Sequence, residues 1–342
     1  LTGRLLNRLR AVTRDCTPRF ALTTAPLSLR LESIIHREGG VPGLDGSQWL
    51  ATDVAPLRAG ADGLPVIDGG SIAILQYTSG STSDPKGVIL THDCLLHNLE
   101  MTHRRFQTTA ETTSVFWLPF HHDMGLIGAV LGTLYAGATC YLLSPIDFVQ
   151  SPFRWLDLLS RKRAEIGGGP NFGYEHCLNR ISEEQKASLD LSCWRIALNG
   201  AEPIKASTLE RFSSAFACCG FREESHFPCY GQAESTLAIT TSDIGVAPAI
   251  TAFDREMMAR GRVQLAVGDA SRGRPFVGCG KVIPDSRLAI VEPGTGRPCA
   301  ADEVGELWFE SGSVAAAMIP VAKTDVRNAP SVRCIPHRPV SM

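Results

Sequence analysis

No C-x-x-C pair occurs among the eleven cysteines, no histidine array stands near them, and their number is odd. Such spacing supports neither a disulfide framework nor a cysteine metal site, so the thiols read as reduced side chains of a cytoplasmic protein. Charge of one sign is lacking too. With 33 Lys and Arg against 35 Asp and Glu, the formal net charge is -2, which offers no general field to nucleic acid or an anionic membrane. Charged side chains are absent between Met124 and Pro145, where Gly128 and Gly132 form G-x-x-x-G. A spanning helix needs about 20 apolar residues in a row. Glycines at 125, 128, 132 and 137 interrupt this stretch, so it reads as a buried helix, a turn at 137–139 and a strand over 140–143, with no membrane span.

What is present is ordinary globular material: 342 residues, 44% hydrophobic and 20% charged, enough for one large or two ordinary domains. The chain is organised around residues 77–87, Tyr-Thr-Ser-Gly-Ser-Thr-Ser-Asp-Pro-Lys-Gly, which join the apolar runs 72–75 and 88–90. Thr78, Ser79, Ser81 and Thr82 surround Gly80, and Gly80 and Gly87 permit a tight turn and close approach to a ligand. Hydroxyls and backbone N–H groups suit polyphosphate oxygens, and Lys86 adds a mobile positive charge. A polar hairpin turn is the plainer reading of such a cluster. A Walker loop fails twice: its second glycine falls on Pro85 and its cation-binding Ser or Thr on Gly87.

Elsewhere the pattern alternates helix and strand. Leu1, Leu5, Leu9 and Val12 recur at helical spacing ahead of a strand-like 20–24. Arginines preceding the first acid, Asp15, would also suit a mitochondrial presequence, but a helix feeding a strand is the repeating unit of an α/β fold. A short strand is expected near 49–51. After the loop, Thr91 is a plausible N-cap for a helix striped by Leu95, Leu99 and Phe106, whose positive dipole end would favour phosphate. His121, His122 and Asp123 invite a metal reading, yet adjacent strand residues face opposite ways and no further ligand cluster follows. Three glycines at 167–169 before Pro170 and Asn171 predict a bend or a close approach rather than regular strand. Strands over 194–198 and up to Cys229 lead into Gly200-Ala201-Glu202 and Tyr230-Gly231-Gln232-Ala233-Glu234. In open parallel sheets ligands bind beyond such strand ends. Tyr230 offers a flat face to a purine, Gly231 allows close approach, and Glu234 can hold Mg2+ against phosphate oxygens.

Taken in this order, these motifs resemble those of the adenylate-forming (AMP-binding) superfamily: its phosphate loop, with Ser83 in place of one glycine, its Gly-Ala-Glu turn and its Tyr-Gly-x-x-Glu turn. Leu118-Pro119 followed by His122-Asp123-Met124-Gly125 is similar to the form found in fatty acyl-AMP ligases, and the likeness runs from about Arg4 to about Ser313. The resemblance implies an α/β large N-terminal domain, with mostly parallel sheets flanked by helices and a more β-rich final part. It divides the chain into a partial α/β segment (1–70), an ATP- and acyl-binding core (71–243), an insertion-like and β-rich part (244–313) and an irregular divergent tail (314–342). It implies activation of a fatty acid by ATP to an acyl-adenylate, with Mg2+, for transfer to the phosphopantetheine of an acyl carrier protein. By the same resemblance Thr78, Ser79, Gly80, Ser81, Thr82 and Lys86 would hold phosphate. Gly200, Ala201, Glu202, Tyr230 and Gly231 would hold the nucleotide and Glu234 the metal, while His122, Asp123, Met124 and Phe172 would border the carboxylate and acyl pocket. Lys86, His122 and Glu234 are the expected catalytic groups. Ala233 stands where many of those relatives have threonine. Residues 242–276 resemble the ligase-specific insertion, whereas acyl-CoA synthetases have a shorter connection. The start on Leu1, and the loss of likeness after Ser313, are expected of a truncated or frame-disrupted large domain. Rival readings are a nucleotide- or acyl-binding module without turnover, an acyl-CoA synthetase and a P-loop ATPase.

Overall fold

The computed structural model describes residues 3–37, 40, 41, 43, 44, 46–54, 65–78, 86–267, 272–319 and 332–336. It divides into two compact units, residues 1–92 with 317–329 and residues 93–316 with 330–342. In the first, α1 (Gly3–Cys16) buries Leu6 against Val41 and Leu44. Strands β1 (Phe20–Thr23) and β2 (Gln48–Ala51) pair in parallel, as a crossover through α2 (Ala25–Arg37) requires. Strands β3 (Ile72–Thr78) and β4 (Lys86–Thr91) pair antiparallel and flank the 79–85 loop.

The second unit begins along α3 (His92–Phe106), which buries the expected Leu95 and Leu99. It continues through β5 (Thr113–Phe116), a π-helical segment (Met124–Leu131) running into α4 (Gly132–Ala136), β6 (Thr139–Leu142), α5 (Pro145–Gln150) and α6 (Phe153–Arg161). Next come β7 (Ile166–Gly169), α7 (Asn171–Arg180), α8 (Glu183–Lys186), β8 (Ile196–Asn199), α9 (Ala206–Phe216), β9 (His226–Gly231) and β10 (Ala238–Thr241). The β-rich final part holds β11 (Ile250–Asp254), α10 (Arg255–Ala259), β12 (Gly273–Val277), β13 (Lys281–Val282), β14 (Ser286–Val291) and β15 (Glu306–Ser311). Within the stretch read as an irregular tail, the described residues include β16 (Ala317–Ile319), paired with β4, and β17 (Val332–Pro336), paired with β15.

A seven-stranded sheet of order β13-β10-β9-β8-β7-β5-β6 organises this unit. From β9 to β6 every neighbouring pair is parallel, and β10 and β13 add an antiparallel edge. Helices cover it through an aromatic core in which Trp155, Trp194, Tyr174 and Phe212 are fully buried and meet edge to face. Among the described residues no helix is long and apolar enough to cross a membrane.

One expectation is corrected here. The glycines at 167–169 form a fully buried strand in the middle of the sheet, not a bend. A Cβ on Gly168 would stand 2.3 Å from the Leu198 carbonyl oxygen, and one on Gly169 would stand 2.7 Å from the Trp117 ring. The cost of glycine in a strand is accepted because the indole and a neighbouring backbone occupy the space that side chains would need. The inferred close approach is therefore real, but its partner is the protein's own core.

Candidate active site

Thr78 and Lys86 face each other at the loop end of the β3–β4 hairpin, while Ser79, Gly80, Ser81 and Thr82 lie outside the described residues. A Walker loop joins a strand to a helix. Here the loop joins two antiparallel strands, which removes the P-loop reading.

In the second unit the parallel strands fix where the remaining motifs emerge. Because β5, β7, β8 and β9 run the same way, the segments after them leave one edge of the sheet. After β5 comes the stretch with His122, Asp123 and Met124; after β7, Asn171 and Phe172; after β8, Gly200, Ala201 and Glu202. Tyr230 and Gly231 end β9, and Glu234 follows in a single 3-10 turn.

At the first position Asp123 caps the π-helical segment by accepting from the Met124 N–H at 2.7 Å. The same carboxylate holds His122 through Nδ1 at 2.6 Å. Gly125 is required locally, since a Cβ there would stand 2.3 Å from the Pro119 carbonyl oxygen. The hydrogen bond to Asp123 raises the His122 pKa above its ordinary value, against an opposing effect of partial burial. His122 should therefore titrate above about 6.5 in an NMR pH series, and Asp123→Asn should bring the midpoint down. A raised folded pKa means that the pair's stabilisation is full below the unfolded value and is lost as pH rises through the folded one. A midpoint unchanged by Asp123→Asn would refute this pairing.

The second and third positions are joined. The Phe172 N–H donates to Glu202 Oε1 at 2.6 Å, so the turn after β8 caps the helix that starts after β7. Asn171, buried beneath it, accepts from the Lys205 N–H at 3.1 Å and donates to Thr208 Oγ1 at 3.2 Å. The Phe172 ring is half exposed and meets Trp117 edge to face at 5.6 Å. Glu202→Ala should lower stability by about 0.3–1 kcal/mol in urea unfolding, the usual value of a carboxylate at a helix N-terminus, and loosen Phe172. No change in the midpoint would show that the contact carries nothing. Ala201 takes a left-handed backbone (φ 67°), and Gly200 leaves no room for a Cβ, which would meet Cys229 Sγ at 2.9 Å. Asn199, just before it, is fully buried with neither amide atom bonded among the described residues.

Tyr230 is partly buried against the cluster containing Met101, Ile239 and Phe309. The Glu234 backbone carbonyl accepts from the Ala315 N–H at 2.9 Å, and its half-buried carboxylate makes no hydrogen bond or ion pair among the described residues. No cluster of three His, Cys, Asp or Glu suited to a metal exists among those residues. A single carboxylate alongside substrate phosphate is a usual way Mg2+ is bound, so Glu234 fits that ion.

Sequence reasoning missed Trp117 and Asn98. The Trp117 ring stacks on Phe148 at 3.7 Å, and its Nε1 is buried without a partner among the described residues. Asn98 is fully buried on α3. The signal was there for Asn98, a polar residue at i+3 from Leu95 and beside Leu99 on the buried face of α3.

A family model described as AMP-binding enzyme matches residues 5–317. The medium-chain-fatty-acid–[acyl-carrier-protein] ligase TtuA of Teredinibacter turnerae is 43% identical over 244 residues, 71% of this chain and 38% of that protein. The ligase of the same description JamA, from Moorena producens, is 41% identical over 272 residues, 78% of this chain and 46% of that protein. The chain thus spans less than half the length of these two relatives. The crystal structure of a fatty acid AMP ligase from Legionella pneumophila superposes with a TM-score of 0.84 at 36% identity, covering 93% of this chain and 54% of that one. Matched over most of its length by the family model and sharing the N-terminal-domain fold of adenylate-forming enzymes, the chain belongs to the AMP-binding enzymes.

Proposed function

We propose that this chain carries the nucleotide and acyl sites of an enzyme that joins a fatty acid to ATP, releasing pyrophosphate and giving an acyl-adenylate for transfer to an acyl carrier protein. The observation that carries the reading is the edge shared by β5, β7, β8 and β9. From it emerge His122 and Asp123, Phe172, the 200–202 turn and the Glu234 carboxylate, which has no partner among the described residues. The names of TtuA and JamA support a medium-chain acid and a carrier-protein acceptor.

In this reading a fatty acid carboxylate oxygen bonds to the α-phosphorus of ATP as the bond from that phosphorus to the bridging oxygen breaks, and pyrophosphate departs. Positioning and charge neutralisation do most of the work. Residues 78–82 and Lys86 hold the phosphates, Gly200, Ala201, Glu202, Tyr230 and Gly231 the nucleoside, and Glu234 the Mg2+, which neutralises phosphate charge when bound. His122, Asp123, Met124 and Phe172 border the acid. The test is fatty-acid-dependent exchange of labelled pyrophosphate into ATP across a series of chain lengths, by the protein containing this chain. Exchange should require a fatty acid and be strongest at medium length, with the product passed to a carrier protein in preference to CoA. ATP hydrolysis indifferent to fatty acid would overturn the reading.

A further inference from the structure

The turn carrying Glu234 is held in a conformation that it would not keep by itself. Thr236 has φ 70° and ψ -59°, and the Leu237 N–H donates to the Ser235 carbonyl at 2.9 Å. These are the marks of a γ-turn of positive φ, which is rare and strained, and doubly so at a β-branched residue. Such outliers persist only when their surroundings over-determine them.

Here the surroundings are specific. The Asn98 Nδ2 donates to the carbonyls of Ser235 at 3.3 Å and Ala238 at 3.1 Å, and its Oδ1 accepts from the Ala238 N–H at 3.3 Å. One buried amide thus ties both sides of the γ-turn. Thr236 Oγ1 donates to the Ser313 carbonyl at 2.6 Å, and the Ala315 N–H donates to the Glu234 carbonyl. The 311–315 strap supplying those two contacts is itself fixed. Ser313 Oγ bonds His97 Nδ1 at 2.9 Å, and Gly312 leaves room for the imidazole, which a Cβ would approach to 2.7 Å. Asn98, Thr236 and Ser313 are buried, so none of them can touch a ligand in solvent.

We propose that Asn98, Thr236 and the Ser313 carbonyl form a clamp that holds this γ-turn closed and thereby aims the Glu234 carboxylate at a divalent cation. They are positioning residues, and the inference rests on Glu234 being the cation ligand. Their number and direction exceed what closing a loop needs: five hydrogen bonds from two separate segments converge on residues 234–238.

The test is calorimetric titration with a non-hydrolysable ATP analogue, with and without Mg2+, on Thr236→Val, Thr236→Ser, Asn98→Ala and Glu234→Gln. Thr236→Val keeps the branched shape and loses the hydroxyl. It should weaken Mg2+-dependent binding about tenfold while binding without Mg2+ is unchanged, and Thr236→Ser should stay within about twofold of the parent. Asn98→Ala should match Thr236→Val; if it does not fold, the Thr236 pair decides alone. If Glu234→Gln loses the Mg2+ dependence but Thr236→Val keeps it, the clamp is refuted and the function stands. If Glu234→Gln keeps it as well, the assignment of Glu234 fails and the clamp with it. An equal loss with and without Mg2+ in Thr236→Val would show a merely structural contact and also refute the clamp.

Discussion

Glu234→Gln is expected to lower acyl-adenylate formation by about 10²–10³-fold, the usual cost of removing one well-placed charge-stabilising group. The change keeps the size and half-buried setting of the side chain and removes only its charge. Because the Glu234 carboxylate bonds nothing among the described residues, stability should hardly move. The loss should fall on the magnesium nucleotide: calorimetry should show MgATP affinity reduced at least tenfold and fatty acid affinity unchanged within about twofold. A variant that forms adenylate at the parent rate would remove Glu234 from the mechanism.

The second large effect is structural. Gly231→Ala would place a Cβ 1.8 Å from the Leu237 carbonyl oxygen, and that oxygen also accepts the Gln232 N–H at 2.9 Å. No flexible side chain can yield there. The β9–β10 pairing, in which Gly231 faces Ala238, must open at the point that presents Tyr230 and Glu234. A stability loss of about 3 kcal/mol or more is expected, with loss of nucleotide binding. Gly245→Ala is the control: it has a positive φ of 71° but nothing within 4 Å of its Cβ, so it should cost only about 1 kcal/mol. Equal losses in the two variants, measured by urea unfolding, would show that backbone preference and not the carbonyl contact matters at Gly231.

Much of the architecture was legible because it follows from local pattern. Helix-to-strand alternation gave α1 and β1, the apolar runs flanking residues 79–85 gave β3 and β4, and Gly137 gave the turn into β6. Where the candidate site residues lie was legible when a motif follows a strand, as with His122 after β5, Gly200 after β8 and Glu234 after β9. What failed depended on distant partners. The glycines of β7 look like a bend until Trp117 fills the space beside Gly169 and Gly173. The π-helical turn after Asp123 leaves no clear periodicity in so apolar a segment. Nor does any spacing rule join Phe172 to Glu202, or Asn98 to Ala238, since each bond depends on strand order in the folded sheet. Thr236 is the sharpest case, because a β-branched residue predicts an extended backbone and instead occupies a positive-φ turn fastened from outside.

The central claim is that one site on this chain receives both a nucleotide and an acyl chain. Titration with a non-hydrolysable acyl-adenylate mimic, compared with AMP and the free fatty acid, tests it most directly. If both parts are recognised together, linking them should raise affinity by about 10² or more over AMP alone, with a maximum at medium acyl length. Binding of the mimic no tighter than AMP, whatever its acyl length, would contradict the account.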